Sequence, residues 1–124
     1  MLAVFEDTLL DFAMRLPRGD REEHLERLKH CNKNGEFIIL WEDGRIQGYG
    51  EVYKVSEPPQ YPVWPYPVWE SEGKYLYCYA AVCKKGLIKK LMRLGRDKFP
   101  ECEFLCYHRD KNKNRLYVER MENL

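Results

Sequence analysis

The chain has 124 residues, of which 44% are hydrophobic and 33% charged, which is the composition of a soluble globular protein large enough to bury a core. No apolar run approaches the length of a membrane span, and residues 1–16 carry acidic side chains where a secretory signal would carry basic ones. We therefore expect a single cytoplasmic domain over residues 1–124. The five cysteines fall mostly on predicted core strands, which is typical of reduced, buried thiols.

Charge is divided unevenly along the chain, although the formal net charge is only +1. Residues 1–73 carry 8 basic and 14 acidic side chains, while residues 74–124 carry 13 and 6. Mutual neutralisation of the two halves within one domain is the simpler interpretation. The same polarity also favours a basic surface suited to a nucleic acid, a phosphorylated cofactor or an acidic protein.

Two helices are predicted at the N-terminal end. In the second, Asp20 is the predicted N-cap and Glu23 its capping partner, and the helix is expected to run to about Cys31. Residues 32–35, Asn-Lys-Asn-Gly, then predict a turn. The first helix precedes Pro17 and has apolar residues at three- and four-residue spacing, namely Leu2, Phe5, Leu9, Phe12, Ala13 and Leu16.

A β-hairpin is predicted after this turn. Residues 36–42 alternate as a strand does, residues 43–44 are an Asp-Gly turn, and residues 46–56 form the return strand. Gly48 and Gly50 interrupt the return strand and predict a bulge or a close backbone contact.

Residues 57–73 hold five of the chain's seven prolines and repeat the tetrapeptide Tyr-Pro-Val-Trp. Proline has no backbone N–H, so this segment is predicted to be a stiff, extended loop and not a central strand. Its large aromatic residues have two interpretations: they pack on the domain's own surface, or they form a recognition wall for a substrate or partner. These residues are Tyr61, Trp64, Tyr66 and Trp69.

Residues 74–108 read as one complete supersecondary unit. Residues 74–83 are apolar or aromatic on both alternating faces, which predicts the central strand of a sheet. A helical pattern begins at Leu87 and ends before Pro100. Residues 102–108 alternate again, and a crossover helix leaves such a strand parallel to the first.

The turn that leads into this helix is rich in lysine. A helix N-terminus presents unpaired N–H groups and a positive dipole end, and Gly86 lets a ligand approach the backbone closely. The pattern favours an anion such as a phosphate group. The alternative is a solvated basic face on which Gly86 only eases the turn. The lysines are Lys84, Lys85, Lys89 and Lys90.

Residues 36–109, and residues 75–108 most specifically, resemble a short member of the GCN5-related N-acetyltransferase (GNAT) superfamily. The order of elements carries the resemblance: two helices, a hairpin, a long strand, a glycine-containing turn, a helix ending in Lys-Phe-Pro and a further strand. In that family the turn follows Arg/Gln-x-x-Gly-x-Gly/Ala. Gly86 matches the first glycine, while Cys83 and Ile88 occupy the first and last positions of the pattern.

The resemblance implies that acetyl-coenzyme A is the cofactor and that the turn cradles its pyrophosphate. It also implies an amine-bearing acceptor, and it places the loop of residues 57–73 on the acceptor side, where its four large aromatic residues would bind substrate. The cofactor-binding residues that it implies are Val82, Cys83, Lys84, Lys85, Gly86, Leu87 and Ile88.

The resemblance further implies two catalytic residues. Glu51 is the nearest carboxylate to accept a proton from an amine. Many members use a tyrosine on the helix after the next strand as the acid for the departing thiolate. Here a polar turn, residues 109–115, and a strand from Leu116 to Met121 replace that helix, and Tyr117 is the nearest substitute. An exposed glutamate and a packed tyrosine on strands are the alternative interpretation of these two residues.

Three residues near the end of the unit are of types that can bind a metal ion. Cys102, Cys106 and His108 share one predicted strand face. The two sulfurs would lie about 13 Å apart at ~3.3 Å per residue, which is too far to bind one zinc ion. We predict core residues here and no metal site.

The predicted fold class is α+β, with one mixed, mostly antiparallel sheet, two N-terminal helices and one central crossover helix. Two functions stay open. The first is an N-acyltransferase that moves an acetyl group from acetyl-coenzyme A to an amine. The second is a non-catalytic GNAT-like module that binds nucleic acid or an acidic protein through its basic half, that is, through Lys84, Lys85, Lys89, Lys90, Arg109, Lys111, Lys113 and Arg115.

Overall fold

A computed structural model describes residues 2–16, 19–59, 66–109 and 115–124, with side chains from residue 8 onward. The described helices are α1 (Leu2–Ala13), α2 (Arg21–Asn34) and α3 (Ile88–Lys98). The strands are β1 (Glu36–Glu42), β2 (Arg45–Val55), β3 (Tyr75–Cys83), β4 (Phe104–Arg109) and β5 (Arg115–Arg120), and a 3₁₀ turn follows at Met121–Asn123.

The five strands form one sheet in the order β1-β2-β3-β4-β5. β3 is therefore the central strand, as its two apolar faces predicted. The pairs β1·β2, β2·β3 and β4·β5 are antiparallel, whereas β3 and β4 are parallel and are joined through α3. The predicted fold class, a mixed and mostly antiparallel sheet with a crossover helix, is confirmed.

Helices cover both faces of the sheet, and each face has its own apolar core. On the first face, Leu9 and Phe12 of α1 and Leu28 of α2 pack against Tyr49 and Tyr53 of β2. On the second face, α3 packs through Leu91, and the core continues in Ile38, Val52, Leu76, Leu105 and Met121. Since successive strand residues point to opposite faces, this division sets which side chains can reach one ligand.

The N-terminus of α2 agrees with the sequence, but its C-terminus does not. Asp20 Oδ1 accepts a hydrogen bond from the Glu23 N–H at 2.9 Å, so the predicted N-cap is confirmed. The predicted turn over residues 32–34 is wrong, because α2 continues to Asn34. Asn34 Nδ2 donates to the carbonyl of His30 one turn back, and the helix ends at Gly35, where a Cβ would lie 2.7 Å from the carbonyl oxygen of Val52.

The hairpin between β1 and β2 follows its predicted turn. Asp43 and Gly44 have φ angles of 54° and 73°, as a two-residue type I′ turn requires. The predicted close contact at Gly48 is confirmed, because a Cβ there would lie 2.3 Å from Cys83 Cβ. The β1·β2 register also shifts beside this glycine, which is the predicted bulge.

No helix among the described residues is both long and apolar enough to cross a membrane.

Candidate functional site

The central parallel pair of strands separates halfway along its length. β3 pairs with β4 only through residues 75–78, which face residues 104–107, and β3 then continues alone on that side to Cys83. At the same point the β2·β3 register shifts, because Glu51 faces Ala80 and Val52 faces Cys78. Tyr79 is therefore the extra residue of a bulge, which increases strand twist and leaves the ladder interrupted.

A cavity of about 510 Å³ opens where the strands separate. It is bounded by β3 and β4 in the sheet, by α3 on the second face, and by β5 and the chain end beyond. We call this cavity the cleft. Its lining comprises Ile38, Gly50, Val52, Cys78, Tyr79, Ala80, Ala81, Ile88, Lys89, Leu91, Met92, Arg93, Gly95, Leu105, Tyr107, His108, Arg109, Glu119, Asn123 and Leu124.

The cleft has an apolar floor and a basic mouth. The buried side chains of Val52, Leu91 and Leu105 form the floor. Exposed cations at its edge come from two elements: Lys89 and Arg93 lie one turn apart on α3, and Arg109 ends β4. A ligand with an apolar portion and negative groups at one end matches this distribution.

The N-terminus of α3 is open to an anion. Its N-cap, Leu87, makes no side-chain capping bond, and its first turn has no acidic residue. The first N–H groups of the helix therefore have no capping side chain, and the dipole favours a negative partner. Gly86 has a φ of +88°, and nothing lies within 4 Å of the position that a Cβ would occupy. The backbone is thus approachable where the sequence predicted.

The predicted cofactor-binding residues occupy two different positions. Ile88 is 45% exposed and lines the cleft. Val82 and Cys83 end β3, and residues 84–87 connect it to α3. None of residues 82–87 is part of the lining, and Lys84 and Lys85 are exposed on the turn. The turn is held by a hydrogen bond from the Lys84 N–H to the Gln47 carbonyl at 3.0 Å. Cofactor contact through residues 82–87 stays a prediction.

Sequence reasoning missed two residues at the point of separation. His108 lines the cleft, and its Nδ1 lies 2.8 Å from the hydroxyl of Tyr77. Burial, and then the neighbouring Tyr79, raise the pKa of Tyr77, so the hydroxyl keeps its proton at neutral pH. A signal for His108 was present, since ligands bind at the carboxyl ends of parallel strands where a sheet changes direction. The alternation of His108 with two cysteines predicts a core position instead, which is wrong for this residue.

No protein-family model matches the chain, and no curated protein matches it. Among solved structures, it is similar to the GphF GNAT-like decarboxylase in complex with isobutyryl-CoA, with a TM-score of 0.57 and 15% sequence identity. The likeness covers 85% of this chain, which spans 61% of that protein's length. The fold is GNAT-like. At this identity the likeness shows the fold alone, and the function has to be argued from the cleft.

Within this GNAT-like fold, Glu51 lies away from the cleft. Its neighbours on β2, Gly50 and Val52, line the cleft, whereas Glu51 is fully buried toward α2. The guanidinium of Arg27 donates to both of its carboxylate oxygens at 2.9–3.1 Å, and the Tyr49 hydroxyl donates to one of them at 2.7 Å. The role of Glu51 as a base stays a prediction that this placement does not support.

The electrostatics of this buried group are those of a fixed ion pair. Burial alone lowers the pKa of Arg27, but the charge of Glu51 and the hydrogen bonds to it raise the pKa well above its ordinary value. Burial and the same carboxylate raise the pKa of Tyr49. The Arg27–Glu51 pair ties α2 to β2, and Arg27 also donates to Nδ1 of His24 on its own helix at 2.8 Å.

The other predicted residues are distributed around the GNAT-like sheet. Tyr117 lies on β5, where its ring is nearly parallel to that of Tyr107, with centroids 5.5 Å apart. Tyr66 packs on Tyr79 on the first face, whereas Trp69 packs on Phe99 on the second. Tyr66 and Trp69 therefore do not form one wall. Tyr61 and Trp64, and also Lys111 and Lys113 of the basic half, lie outside the described residues.

Cysteine and metal chemistry find no support in the described part of the chain. No group of three or more histidine, cysteine, aspartate or glutamate side chains there is arranged to hold a metal ion. Cys78 lines the cleft, but burial raises its pKa to about 12 and its thiol donates to the Ala80 carbonyl. Such a thiol is a weak nucleophile at neutral pH.

Proposed function

We propose that the chain binds an acyl-coenzyme A in the cleft and transfers the acyl group to an amine, with acetyl-coenzyme A as the expected donor. The observation that carries the proposal is the position of the cleft: it opens where β3 and β4 separate, beside an uncapped helix N-terminus. The GNAT-like neighbour bound to isobutyryl-CoA supports a coenzyme A thioester as the ligand class.

Three parts of the cleft suit three parts of an acyl-coenzyme A: the pyrophosphate, the pantetheine arm and the acyl group. Its basic mouth and the N–H groups of α3 suit a pyrophosphate. The unpaired side of β3 beyond Cys78 offers backbone groups to the amides of a pantetheine arm, as an added strand does. The apolar floor then receives a short acyl chain.

His108 is the residue that we assign to proton transfer. In the tautomer in which Nδ1–H donates to the Tyr77 oxygen, Nε2 holds the lone pair. The amine nitrogen attacks the thioester carbonyl carbon, and a C–N bond forms as the C–S bond breaks. His108 takes the proton that the amine loses and returns it to the departing thiolate, which leaves as free coenzyme A.

The first test is binding. Acetyl-coenzyme A and isobutyryl-coenzyme A should each raise the melting temperature of the chain, because a ligand at 100 times its Kd adds about 2.7 kcal/mol to the stability of the folded state. Mass spectrometry should then detect acylated amine and free coenzyme A in equal amounts across a panel of amines. An unchanged melting temperature at millimolar concentrations of both thioesters contradicts the proposal.

A binding module for nucleic acid or an acidic protein is the second candidate. It is favoured by Lys84 and Lys85, which are exposed and lie outside the lining of the cleft. If the module is correct, single-stranded oligonucleotides or an acidic peptide bind with a steep salt dependence, and thioesters do not change the melting temperature.

A further inference from the structure

The β4–β5 ribbon presents a ladder of three side-chain pairs toward the cleft. Leu105 faces Glu119, Tyr107 faces Tyr117, and Arg109 faces Arg115. Because alternate residues of a strand share one face, the three pairs lie on the same side of the ribbon. Four residues of this side line the cleft, namely Leu105, Tyr107, Arg109 and Glu119, whereas Tyr117 and Arg115 lie beside the lining as the cross-strand partners of Tyr107 and Arg109. We call Tyr107, Tyr117, Arg109 and Arg115 the tyrosine–arginine ladder.

The two aromatic rings of the ladder are stacked. The rings of Tyr107 and Tyr117 are inclined by only 11° to each other, and both side chains are half-buried. A cross-strand tyrosine pair is explained by sheet stability alone, because such pairs contribute roughly 0.2–1 kcal/mol. The aromatic pair therefore needs a second feature before it indicates a ligand.

The second feature is the arginine pair. Like charges directly opposite each other on two strands destabilise a sheet. Arg109 and Arg115 are both exposed, and their guanidinium carbons lie 5.9 and 5.6 Å from the Tyr117 ring centroid. Neither forms an ion pair with a described carboxylate. A cation–π contact with Tyr117 offsets part of the repulsion between the two guanidinium groups. The fold nevertheless places two positive charges together on an aromatic surface at the edge of the cleft, where an anionic ligand would neutralise them.

A purine nucleotide has the complementary chemistry. A base stacks on tyrosine, and guanidinium groups bind phosphate oxygens in bidentate geometry. Lys89 and Arg93 supply further positive charge from α3, so that phosphates in the mouth of the cleft meet cations from two elements. We propose that the tyrosine–arginine ladder binds the adenosine 3′-phosphate end of the coenzyme A ligand. This inference rests on the proposed function and assigns the residues that read its nucleotide.

The test compares two ligands that differ only in the nucleotide. Calorimetric titration of the full chain with coenzyme A and with 4′-phosphopantetheine measures what the nucleotide adds. In the variants Tyr117→Leu and Arg115→Gln, we expect the affinity for coenzyme A to fall about tenfold, as the loss of a stacked base or a charged hydrogen bond does. The affinity for 4′-phosphopantetheine should change less than twofold.

The matched control is the stacked pair on the opposite face of the sheet. Tyr75 and Phe104 have ring centroids 5.0 Å apart and an interplanar angle of 20°, and Tyr75 packs against the first-face core. Tyr75→Leu should leave both affinities unchanged at a temperature where circular dichroism shows the variant to be folded. This control separates loss of a nucleotide contact from loss of an aromatic pair.

Each remaining outcome overturns a defined part of the argument. If wild-type chain binds coenzyme A and 4′-phosphopantetheine equally tightly, the ladder does not bind the nucleotide, while the proposed function stands. If Tyr117→Leu weakens both ligands equally, the ladder acts only through the structure of the cleft. If a single-stranded oligonucleotide binds through Tyr117 and neither thiol ligand binds, the proposed function and the assigned ligand are both wrong.

Discussion

The hydroxyl of Tyr77 lies 2.8 Å from Nδ1 of His108, and the bond connects β3 to β4 just where their backbones stop pairing. The two rings meet edge to face, with centroids 5.6 Å apart and an interplanar angle of 79°. Tyr77 is buried and keeps its proton, so it holds the imidazole in one orientation while His108 lines the cleft. Such an arrangement is how proteins orient a histidine that transfers protons.

Replacing His108 should therefore affect turnover more than binding. For His108→Ala, we expect kcat to fall by about 100-fold or more, the usual contribution of a general acid–base group. Tyr77→Phe removes the orienting hydroxyl and should lower kcat by about tenfold by the same principle. Steady-state assays and calorimetry on the same samples separate kcat from the Kd for the thioester. Equal kcat in wild type and His108→Ala contradicts the assignment.

Two pairs of basic residues, one on α3 and one on the turn before it, should differ in their effect on ligand affinity. Lys89 and Arg93 line the cleft, so the double variant Lys89→Ala/Arg93→Ala should bind coenzyme A about 10- to 100-fold more weakly. Lys84→Ala/Lys85→Ala removes the same charge from the preceding turn and serves as the matched control. Calorimetry at two salt concentrations measures both. A larger loss in the turn variant would instead place the pyrophosphate where the sequence pattern predicted.

Replacing the Glu51 carboxylate should lower the free energy of unfolding. Glu51→Gln leaves the charge of Arg27 buried without its partner, a change that costs about 3–5 kcal/mol in other proteins. Glu101→Gln breaks the pair between Lys54 and an exposed carboxylate and should have a much smaller effect, because solvent screens that pair. Urea denaturation gives both values. A Glu51→Gln variant of wild-type stability but without turnover would favour the catalytic role that the resemblance implied.

Two glycines on β2 should respond differently to alanine. At Gly48 a Cβ would lie 2.6 Å from the backbone of Cys83, so Gly48→Ala should destabilise the chain by about 1–3 kcal/mol through overpacking. At Gly50 a Cβ would meet its nearest neighbour at 3.8 Å, so Gly50→Ala should fold normally. Because Gly50 lines the cleft, Gly50→Leu should fill the floor and weaken acyl-coenzyme A binding. Normal binding by a folded Gly50→Leu variant would place the acyl chain elsewhere.

Alkylation of Cys78 should be slow and dependent on pH. With its pKa raised to about 12 by burial, Cys78 has a thiolate fraction of about 10⁻⁴ at pH 8, and this fraction rises tenfold for each pH unit up to about 12. Peptide mass spectrometry after iodoacetamide treatment at pH 8 and pH 10 measures the rate. Acyl-coenzyme A should protect Cys78, which lines the cleft, but not Cys106, which does not. Fast alkylation of Cys78 at pH 8 would contradict a raised thiol pKa.

Much of the fold followed from local patterns in the sequence. The Asp20 cap, the turn at Asp43 and Gly44, and the central strand with two apolar faces each depend on short-range chemistry. The sequence places the end of α2 too early because its last polar residues resemble a turn. In the structure, the bond from Asn34 to His30 within the helix, and the bond from the Trp69 N–H to the Asn34 carbonyl, hold them helical. Local propensity was overridden by tertiary contacts there.

The candidate site was harder to predict, because it depends on where strands separate. The sequence predicts an accessible carboxylate at Glu51, on a strand that carries several polar residues. Its burial depends on Arg27, which lies on α2, and residue spacing within a strand cannot predict a partner on another element. His108 looked like a core residue because it alternates with two cysteines. Only the end of the β3·β4 pairing places it beside a cavity.

The short β3·β4 ladder also divides the sheet into a three-stranded and a two-stranded half. Among the described residues, the ladder that joins these halves covers residues 75–78 and 104–107. It is extended at one end by hydrogen bonds from the Glu103 and Phe104 N–H groups to the Lys74 carbonyl. Amide exchange should therefore be fastest, within the sheet, along this boundary. A ligand bound between the two halves would contact both of them. Binding should therefore slow amide exchange on β4 and β5 as well as on β3.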